Sequence, residues 1–567
     1  MSQTAIDTIT QDTLEAPMRD GTVLRADVWR PAGGGKHPVL LIRLPYDKTQ
    51  GEDLCYAHPA WYARQGFAVV SQDVRGRWAS DGEFTPFQHE AEDGEDTMAW
   101  LESLPFSNGR VGMYGFSYPG HTQLQIGVRR PPGLRCMAPA MTSADLYEGW
   151  AYNNGAFALA FNASWATFLA DDVARRRDPD LEPVLAAQYA KVTEYYWWLP
   201  LNAIPNLTSG SPAGFFADWL AHETKDAYWK SWDVTGRLSE VEVPTLMVGG
   251  LYDVFLEGTV GAYTGIRKGA AADRTRLLIG PWYHMPWLPA FGDVDFGPEA
   301  RNLVDRHQLA FFDQWLRDGD GPKGSRVRAF VSGATRWEDL ADWPPPSDPW
   351  SLHLRAHSRA NSISGDGFLS EEAPGASEDP DTYSYDPAIP VLSAGGRSCC
   401  LDFVAPMGPK NQYPVECLNG VLVYTSEPLA RDRLVAGSVK AHLFAATDQA
   451  DTDWVVKVCD VDPSGRSINV QETIQRARFA GGTDRSRPIA PNAVSEFVMD
   501  VGTCCHLFRA GHQVRVQVTS SHFPHWDRNL NTGNQVGTER LADRKVAVQT
   551  VLHDAAHPSR VELPLLA

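Results

Sequence analysis

Five short apolar runs set the architecture of the first half of the chain: Val39–Ile42, Phe67–Val70, Val111–Tyr114, Thr245–Val248 and Arg276–Ile279. A strand with one wet face alternates apolar and polar residues. A run that is apolar at nearly every position needs cover on both faces, which a parallel sheet flanked by helices provides. The intervening segments fit that arrangement. Glu90–Leu104 reads as a helix whose acidic first turn suits its positive end. A second helix is expected from about Glu299 to Leu316, with Leu303, His307, Phe311 and Trp315 facing the sheet at one-turn spacing.

The strand pattern stops between about Ala144 and Glu240. This stretch carries Trp150, Trp165, Trp197, Trp198, Trp219, Trp229 and Trp232 on helical periodicity. It reads as a helical insertion capping the sheet, with additional core helices as the plain alternative. After about Gly324 the texture changes again. Arg326–Val331, Val421–Tyr424, Ser438–Ala445, Trp454–Val461 and Gln513–Thr519 alternate or run β-branched between Gly, Pro, Asp and Ser clusters, the pattern of an all-β sandwich. Residues 361–397 read as long surface loops. A chain of 567 residues exceeds one ordinary core. The expected division is a catalytic α/β domain over 1–143 and 241–323, a cap over 144–240 and a β-sandwich over 324–567.

The formal net charge of -19 disfavours a phosphate backbone as partner. Eight cysteines without a CxxC or a zinc-type Cys/His spacing suggest no metal and no cofactor. The vicinal pairs Cys399–Cys400 and Cys504–Cys505 read as successive residues on opposite faces of strands, in keeping with a reducing cytosol. The first residues lack the basic and apolar regions of a secretory leader, and no run approaches the roughly 18 apolar residues of a membrane helix. A cytoplasmic protein without membrane partners is expected. The β domain offers surface for a homodimer, and the sequence leaves the oligomeric state open.

Candidate chemistry centres on Ser117. The strand Val111–Tyr114 runs directly into Gly115-Phe116-Ser117-Tyr118-Pro119-Gly120. A serine on a sharp strand-to-helix turn needs small neighbours, and the following helix directs its positive end at an oxyanion. The usual five-residue motif has glycine where Pro119 stands. Proline suits a first helical turn, where its missing N–H has no partner to lose. A serine hydroxyl also needs a base, and the base needs an acid to orient it. In chain order the acid comes first, and both follow later strands. Asp253 follows Thr245–Val248 through Gly249-Gly250, and His284 follows Arg276–Ile279 through Gly280-Pro281-Trp282-Tyr283. Both sit at C-terminal strand ends, where parallel sheets place their sites. His121 follows the serine turn but falls on the helix, directed elsewhere. His89, His222 and His307 lie in helical stretches, and His522 and His525 in the β region.

These residues together resemble the cocaine esterase-like hydrolases, a group that includes X-Pro dipeptidyl peptidases and α-amino acid ester hydrolases. The resemblance rests on Leu44-Pro45-Tyr46-Asp47-Lys48, on Gln72–Arg77 with Ser80–Phe84, on the Ser117 turn, on Gly280-Pro281-Trp282-x-His284 and on Ser521–Gly533. The family tolerates proline at position 119. The resemblance implies an α/β-hydrolase sheet, a helical cap and a C-terminal jelly roll. It implies an oxyanion hole made by the Tyr46 hydroxyl and the Tyr118 backbone N–H. It also places Trp150 and Trp165 in the cap near the acyl group, with Phe255 and Leu256 as further pocket candidates.

In the α-amino acid ester hydrolases two carboxylates that hold the substrate ammonium lie two and three residues past the acid. Phe255 and Leu256 occupy those positions here. A buried ammonium facing them would be unpaired and costly. Glu257 lies close by and keeps the question open. The leading expectation is a carboxylesterase for apolar or aromatic acyl groups that forms an acyl-enzyme on Ser117. An amidase or X-Pro-type peptidase using the same triad is the alternative. A binding protein without catalysis is disfavoured by the intact Ser117, Asp253 and His284 set.

Overall fold

A computed structural model describes residues 6, 8–319, 321 and 324–566. Ten strands form the first sheet: β1 (Ile9–Pro17), β2 (Val23–Pro31), β3 (His37–Leu44), β4 (Ala68–Asp73), β5 (Ser107–Phe116), β6 (Leu134–Ala140), β7 (Thr245–Gly250), β8 (Thr275–Gly280), β9 (Val327–Val331) and β10 (Arg336–Leu340). Their order is β1-β2-β4-β3-β5-β6-β7-β8-β9-β10. The block from β4 to β9 is parallel, and antiparallel pairs close both edges.

The apolar runs are covered on both faces, as their composition requires. Val39, Leu41, Met113, Met247, Leu277 and Ile279 pack into one core. Leu40, Ile42, Tyr114, Leu246, Val248 and Leu278 pack into the core on the opposite face. The helix Val304–Arg317 covers the second face, but through Val304, Gln308, Phe311, Phe312 and Leu316. His307 is half-buried, and Leu303 and Trp315 only flank the core, so the expected stripe is rotated by about one residue. Adjacent Phe311 and Phe312 pull the buried face to their side.

Between β6 and β7 the chain leaves the sheet and forms a helical insertion, with helices from Leu159–Arg177 to Thr235–Glu240. Its longest helix, Leu159–Arg177, buries Phe161, Trp165 and Leu169 in an aromatic core with Trp150, Trp219 and Trp229. Trp197 and Trp198 remain exposed.

The C-terminal domain is the jelly-roll layer, built on an eleven-stranded sheet around Arg433–Thr447 and Ser495–Phe508. Cys504 and Cys505 lie on the latter strand and face opposite cores, Cys504 the sandwich and Cys505 the first sheet. Two expectations for this half need correction. Arg326–Val331 is a strand, but it pairs in parallel with β8 as part of the first sheet. Local alternation identifies a strand and says nothing about which sheet it joins. The stretch 361–397 also contains two short strands, Gly367–Ser370 and Asp381–Tyr385. No helix among the described residues is long and apolar enough to cross a membrane.

Candidate active site

β5 ends at Phe116, and Ser117 begins the turn into the helix Tyr118–Gly127 with φ 65° and ψ -124°. Such a backbone costs a residue with a Cβ about 1–3 kcal/mol, so its surroundings must hold it. The Ser117 N–H donates to the carbonyls of Ala140 (2.9 Å) and Met141 (3.1 Å). The Thr142 hydroxyl donates to the Ser117 carbonyl at 2.9 Å. Gly120 lets the helix approach this strand end, since a Cβ there would lie 2.7 Å from that of Thr142. As the first helical residue, Tyr118 has an N–H without an intrahelical acceptor. Its side chain points away and fastens the helix. The phenol donates to Glu90 Oε1 at 2.7 Å, and Glu90 pairs with buried Arg43 at 3.0 Å.

Asp253 and His284 meet because their loops are laced together. Leu251 N–H donates to the Gly280 carbonyl at 2.9 Å, and Tyr252 N–H to the Trp282 carbonyl at 3.0 Å. Gly250 permits this approach, because a Cβ there would sit 2.3 Å from the Trp282 carbonyl oxygen. His284 Nδ1 lies 2.7 Å from Asp253 Oδ1, and both side chains are buried. The other carboxylate oxygen, Oδ2, finds no partner among the described residues. With Nδ1 committed to the carboxylate, Nε2 is the ring nitrogen free to exchange a proton.

Ser117 and His284 open into one cavity of about 390 Å³, walled by Phe116, Phe161, Trp165, Phe168, Leu401 and Val404. Tyr46, at the exit of β3, lines it as well. Its hydroxyl accepts the Trp165 indole N–H at 3.1 Å and lies against Ser117. Burial pushes the phenol well above its ordinary pKa, which keeps it a hydrogen-bond donor. Tyr46 is positioned from the preceding carbonyl: Arg77 Nε and Trp78 Nε1 both donate to Pro45 O, at 2.9 and 3.0 Å. Arg77 Nη1 also donates to Leu169 O of the cap helix at 2.6 Å. Arg77→Ala strips donors from two buried carbonyls and a nearby carboxylate, Asp172 at 3.6 Å. The expected result is a loss of about 3 kcal/mol in a urea titration, together with slower turnover.

Of the four expected pocket residues, only Trp165 lines the cavity. Trp150 and Phe255 form a second layer behind it. Their rings lie 4.3 Å apart, and Phe255 meets the His284 imidazole edge-on at 5.1 Å. Leu256 starts the helix Leu256–Ile266 and packs into the sheet core. A residue that follows an acid in sequence shares its loop but not its direction. Glu257 is also outside the cavity wall. It pairs with Arg397 at 2.8 Å and accepts from the Thr503 N–H at 2.7 Å.

Two features of the site have no forerunner in the sequence reading. Buried Glu52 lines the cavity, and its Oε2 accepts the Phe116 N–H at 3.1 Å. Oε1 has no partner among the described residues, and burial pushes the carboxyl well above its ordinary pKa. The other feature is the C-terminal domain's contribution of Cys399, Cys400, Leu401 and Val404 to the wall. Cys399 and Cys400 are joined in a vicinal disulfide within a loop, not spaced along a strand.

An α/β-hydrolase sheet, a serine on a positive-φ strand-to-helix turn and a buried aspartate–histidine pair in the same cavity define a serine hydrolase. Residues 20–286 match the X-Pro dipeptidyl-peptidase (S15) family, and residues 323–562 match the X-Pro dipeptidyl-peptidase C-terminal non-catalytic domain. The chain belongs to the cocaine esterase-like (CocE/NonD) hydrolases of this family, and it is a hydrolase of the esterase type. It is 35% identical to cocaine esterase of Rhodococcus sp. (strain MB1 Bresler), with 97% of each chain covered. Two solved structures are similar throughout. An α-amino acid ester hydrolase superposes with a TM-score of 0.81 at 26% identity, covering 100% of this chain and 98% of its own. An aminopeptidase from the marine sediment archaeon Thaumarchaeota archaeon gives 0.83 at 25%, with the same coverage.

Proposed function

We propose that the protein hydrolyses carboxylic esters with an apolar or aromatic acyl group through an acyl-enzyme on Ser117. The observation that carries this reading is the cavity itself: aromatic and aliphatic side chains surround the space in front of Ser117 and His284. Burying a phenyl-sized acyl group there gains roughly 25 cal/mol per Å² of apolar surface removed from water. In this reading His284 Nε2 takes the Ser117 proton as Oγ attacks the carbonyl, and Asp253 stabilises the imidazolium. The Tyr46 hydroxyl and the Tyr118 N–H donate to the oxyanion. The imidazolium then protonates the leaving alcohol, and water repeats the sequence on the acyl-enzyme.

A fluorophosphonate probe is expected to label Ser117, and folded protein that resists labelling would refute the assignment. Among p-nitrophenyl esters, the benzoyl ester should exceed the glycyl ester in kcat/KM by at least tenfold. Tyr46→Phe should lower kcat by about 10²–10³ with little change in KM, because the lost donor acts mainly on the transition state. Unchanged kcat in that variant would remove Tyr46 from the oxyanion hole.

Glu52 favours a second reading, in which the substrate presents an amine. A buried carboxyl that lines the cavity and leaves one oxygen unpaired among the described residues is suited to a hydrogen-bond donor or an ammonium group. The X-Pro-type peptidase alternative has such a group at the substrate N-terminus. Matched p-nitroanilides with free and acetylated α-amines separate the readings. Faster cleavage of the free amine, abolished by Glu52→Gln, would favour the peptidase.

A further inference from the structure

The loop that closes the cavity from the C-terminal domain brings two sulfurs to the candidate base. A ring nitrogen of His284 and the sulfurs of Cys399 and Cys400 all lie within 4.8 Å of one another. Among the described residues this is the one cluster of three or more side chains able to hold a metal ion. The loop is anchored on both sides. Ser398 forms a backbone bridge with Asp253. Arg397 N–H donates to Glu472 Oε1 at 2.6 Å, and the Arg397 carbonyl lies 2.6 Å from His525 Nε2. Val404 N–H donates back to the Leu401 carbonyl at 2.9 Å. Cys399 is buried, and half-buried Cys400 faces the cavity, where a small reductant can reach the pair.

His284 is also already held by a carboxylate on its other nitrogen. Histidines that bind metals through one nitrogen usually donate the other N–H to a carboxylate, and Asp253 already occupies Nδ1 at 2.7 Å. Two thiolates and an imidazole suit a soft-accepting d¹⁰ cation, with sulfur at roughly 2.3 Å and nitrogen at roughly 2.0–2.1 Å from zinc. Ligands at those lengths sit closer to each other than 4.8 Å, within reach of side-chain rotation once the sulfurs are released from each other.

We propose that opening the Cys399–Cys400 disulfide creates a site for a thiophilic divalent cation of the zinc and cadmium class, held by both sulfurs and His284 Nε2. Its occupancy stops hydrolysis, because the cation takes the nitrogen that receives the Ser117 proton. This consequence rests on the roles proposed above for Ser117 and His284; the binding does not. Reduction by a phosphine breaks the S–S bond. Phosphorus gives up two electrons and gains the oxygen of one water, and the sulfurs take the two electrons and the two protons of that water. Cation binding then releases the two thiol protons to solvent.

The test uses full-length protein carrying Cys417→Ser, which removes the one exposed free cysteine among the described residues. It is reduced with a phosphine, desalted and titrated with Cd²⁺. The expected result is a thiolate-to-cadmium charge-transfer band that saturates at one equivalent. Ester hydrolysis should fall at least tenfold in parallel and recover on chelation. Unreduced protein should show neither effect. Cys399→Ser/Cys400→Ser should lose the band and keep its own metal-free rate when Cd²⁺ is added. His284→Ala should bind Cd²⁺ at least tenfold more weakly. Absence of the band in reduced protein overturns the proposal, as does a band that leaves hydrolysis at full rate. Fluorophosphonate labelling of the metal-free protein distinguishes the two failures: if Ser117 does not react, the hydrolase assignment has failed, independently of the cation.

Discussion

Ser117→Gly should abolish hydrolysis and raise thermal stability at the same time. Without the hydroxyl no acyl-enzyme forms, and a loss of about 10⁶-fold in kcat is the scale expected for removing a triad nucleophile. The stability gain follows from the backbone. At φ 65° and ψ -124° a side chain is strained, whereas glycine occupies the region freely. Its greater unfolded-state entropy offsets part of the relief, so a net gain of about 1 kcal/mol is expected. For a chain of 567 residues that is a rise of only about 1 °C in the melting temperature. Ser117→Ala retains the strained backbone and should lose activity without the stability gain. Equal melting temperatures for the glycine and alanine variants would show that the turn stores no strain.

Asp253→Asn should cost about 10⁴-fold in kcat with KM nearly unchanged. The carboxylate accepts from Nδ1–H at 2.7 Å and so keeps the other nitrogen unprotonated. An amide can present its NH₂ to Nδ1 instead, which places the imidazole proton on Nε2, where it blocks transfer from Ser117. Fluorophosphonate labelling should slow in proportion, because probe attack needs the same proton transfer. A loss of less than tenfold would mean that Asp253 does not control the tautomer, and that burial against Phe255 is enough to orient the ring.

The parallel centre of the fold was legible because it is defined by burial alone. Val39–Ile42 and Thr245–Val248 have no polar alternative to being enclosed, and both proved to be strands covered on two faces. Three strands lacked that signal. β1 and β2 are interrupted by charged residues, and β6, in the middle of the parallel block, contains Arg135 and Pro139, so none reads as an apolar run. Val327–Val331 was recognised as a strand and assigned to the wrong sheet, because strand partners depend on the whole chain path. The candidate serine, acid and base were legible for a different reason. Each sits just past a recognisable buried strand, so topology alone brings the loops to one edge. The cavity wall was not. Phe255 and Leu256 are expected there from their place just after the acid, and Trp150 from the resemblance, whereas the structure sets all three behind the wall or in the core. Glu52 follows an irregular turn with no repeating pattern. The cysteine pair was visible, but only the tertiary structure shows that the loop carrying it crosses from another domain to meet His284.

That crossing separates the reacting groups from part of their enclosure. The strained turn and the aspartate–histidine pair belong to one unit, while residues 399–404 arrive from another whose family description is non-catalytic. Recombination or drift in the second unit can therefore reshape what fits against Ser117 while the reacting atoms stay where they are. Every group of the candidate proton relay precedes residue 323, whereas one side of the chamber around it follows. The jelly roll is in this sense a fitted wall: Cys505, Ala436 and Met407 share the first sheet's core, so a change of lining at residues 399–404 is carried on a rigid support.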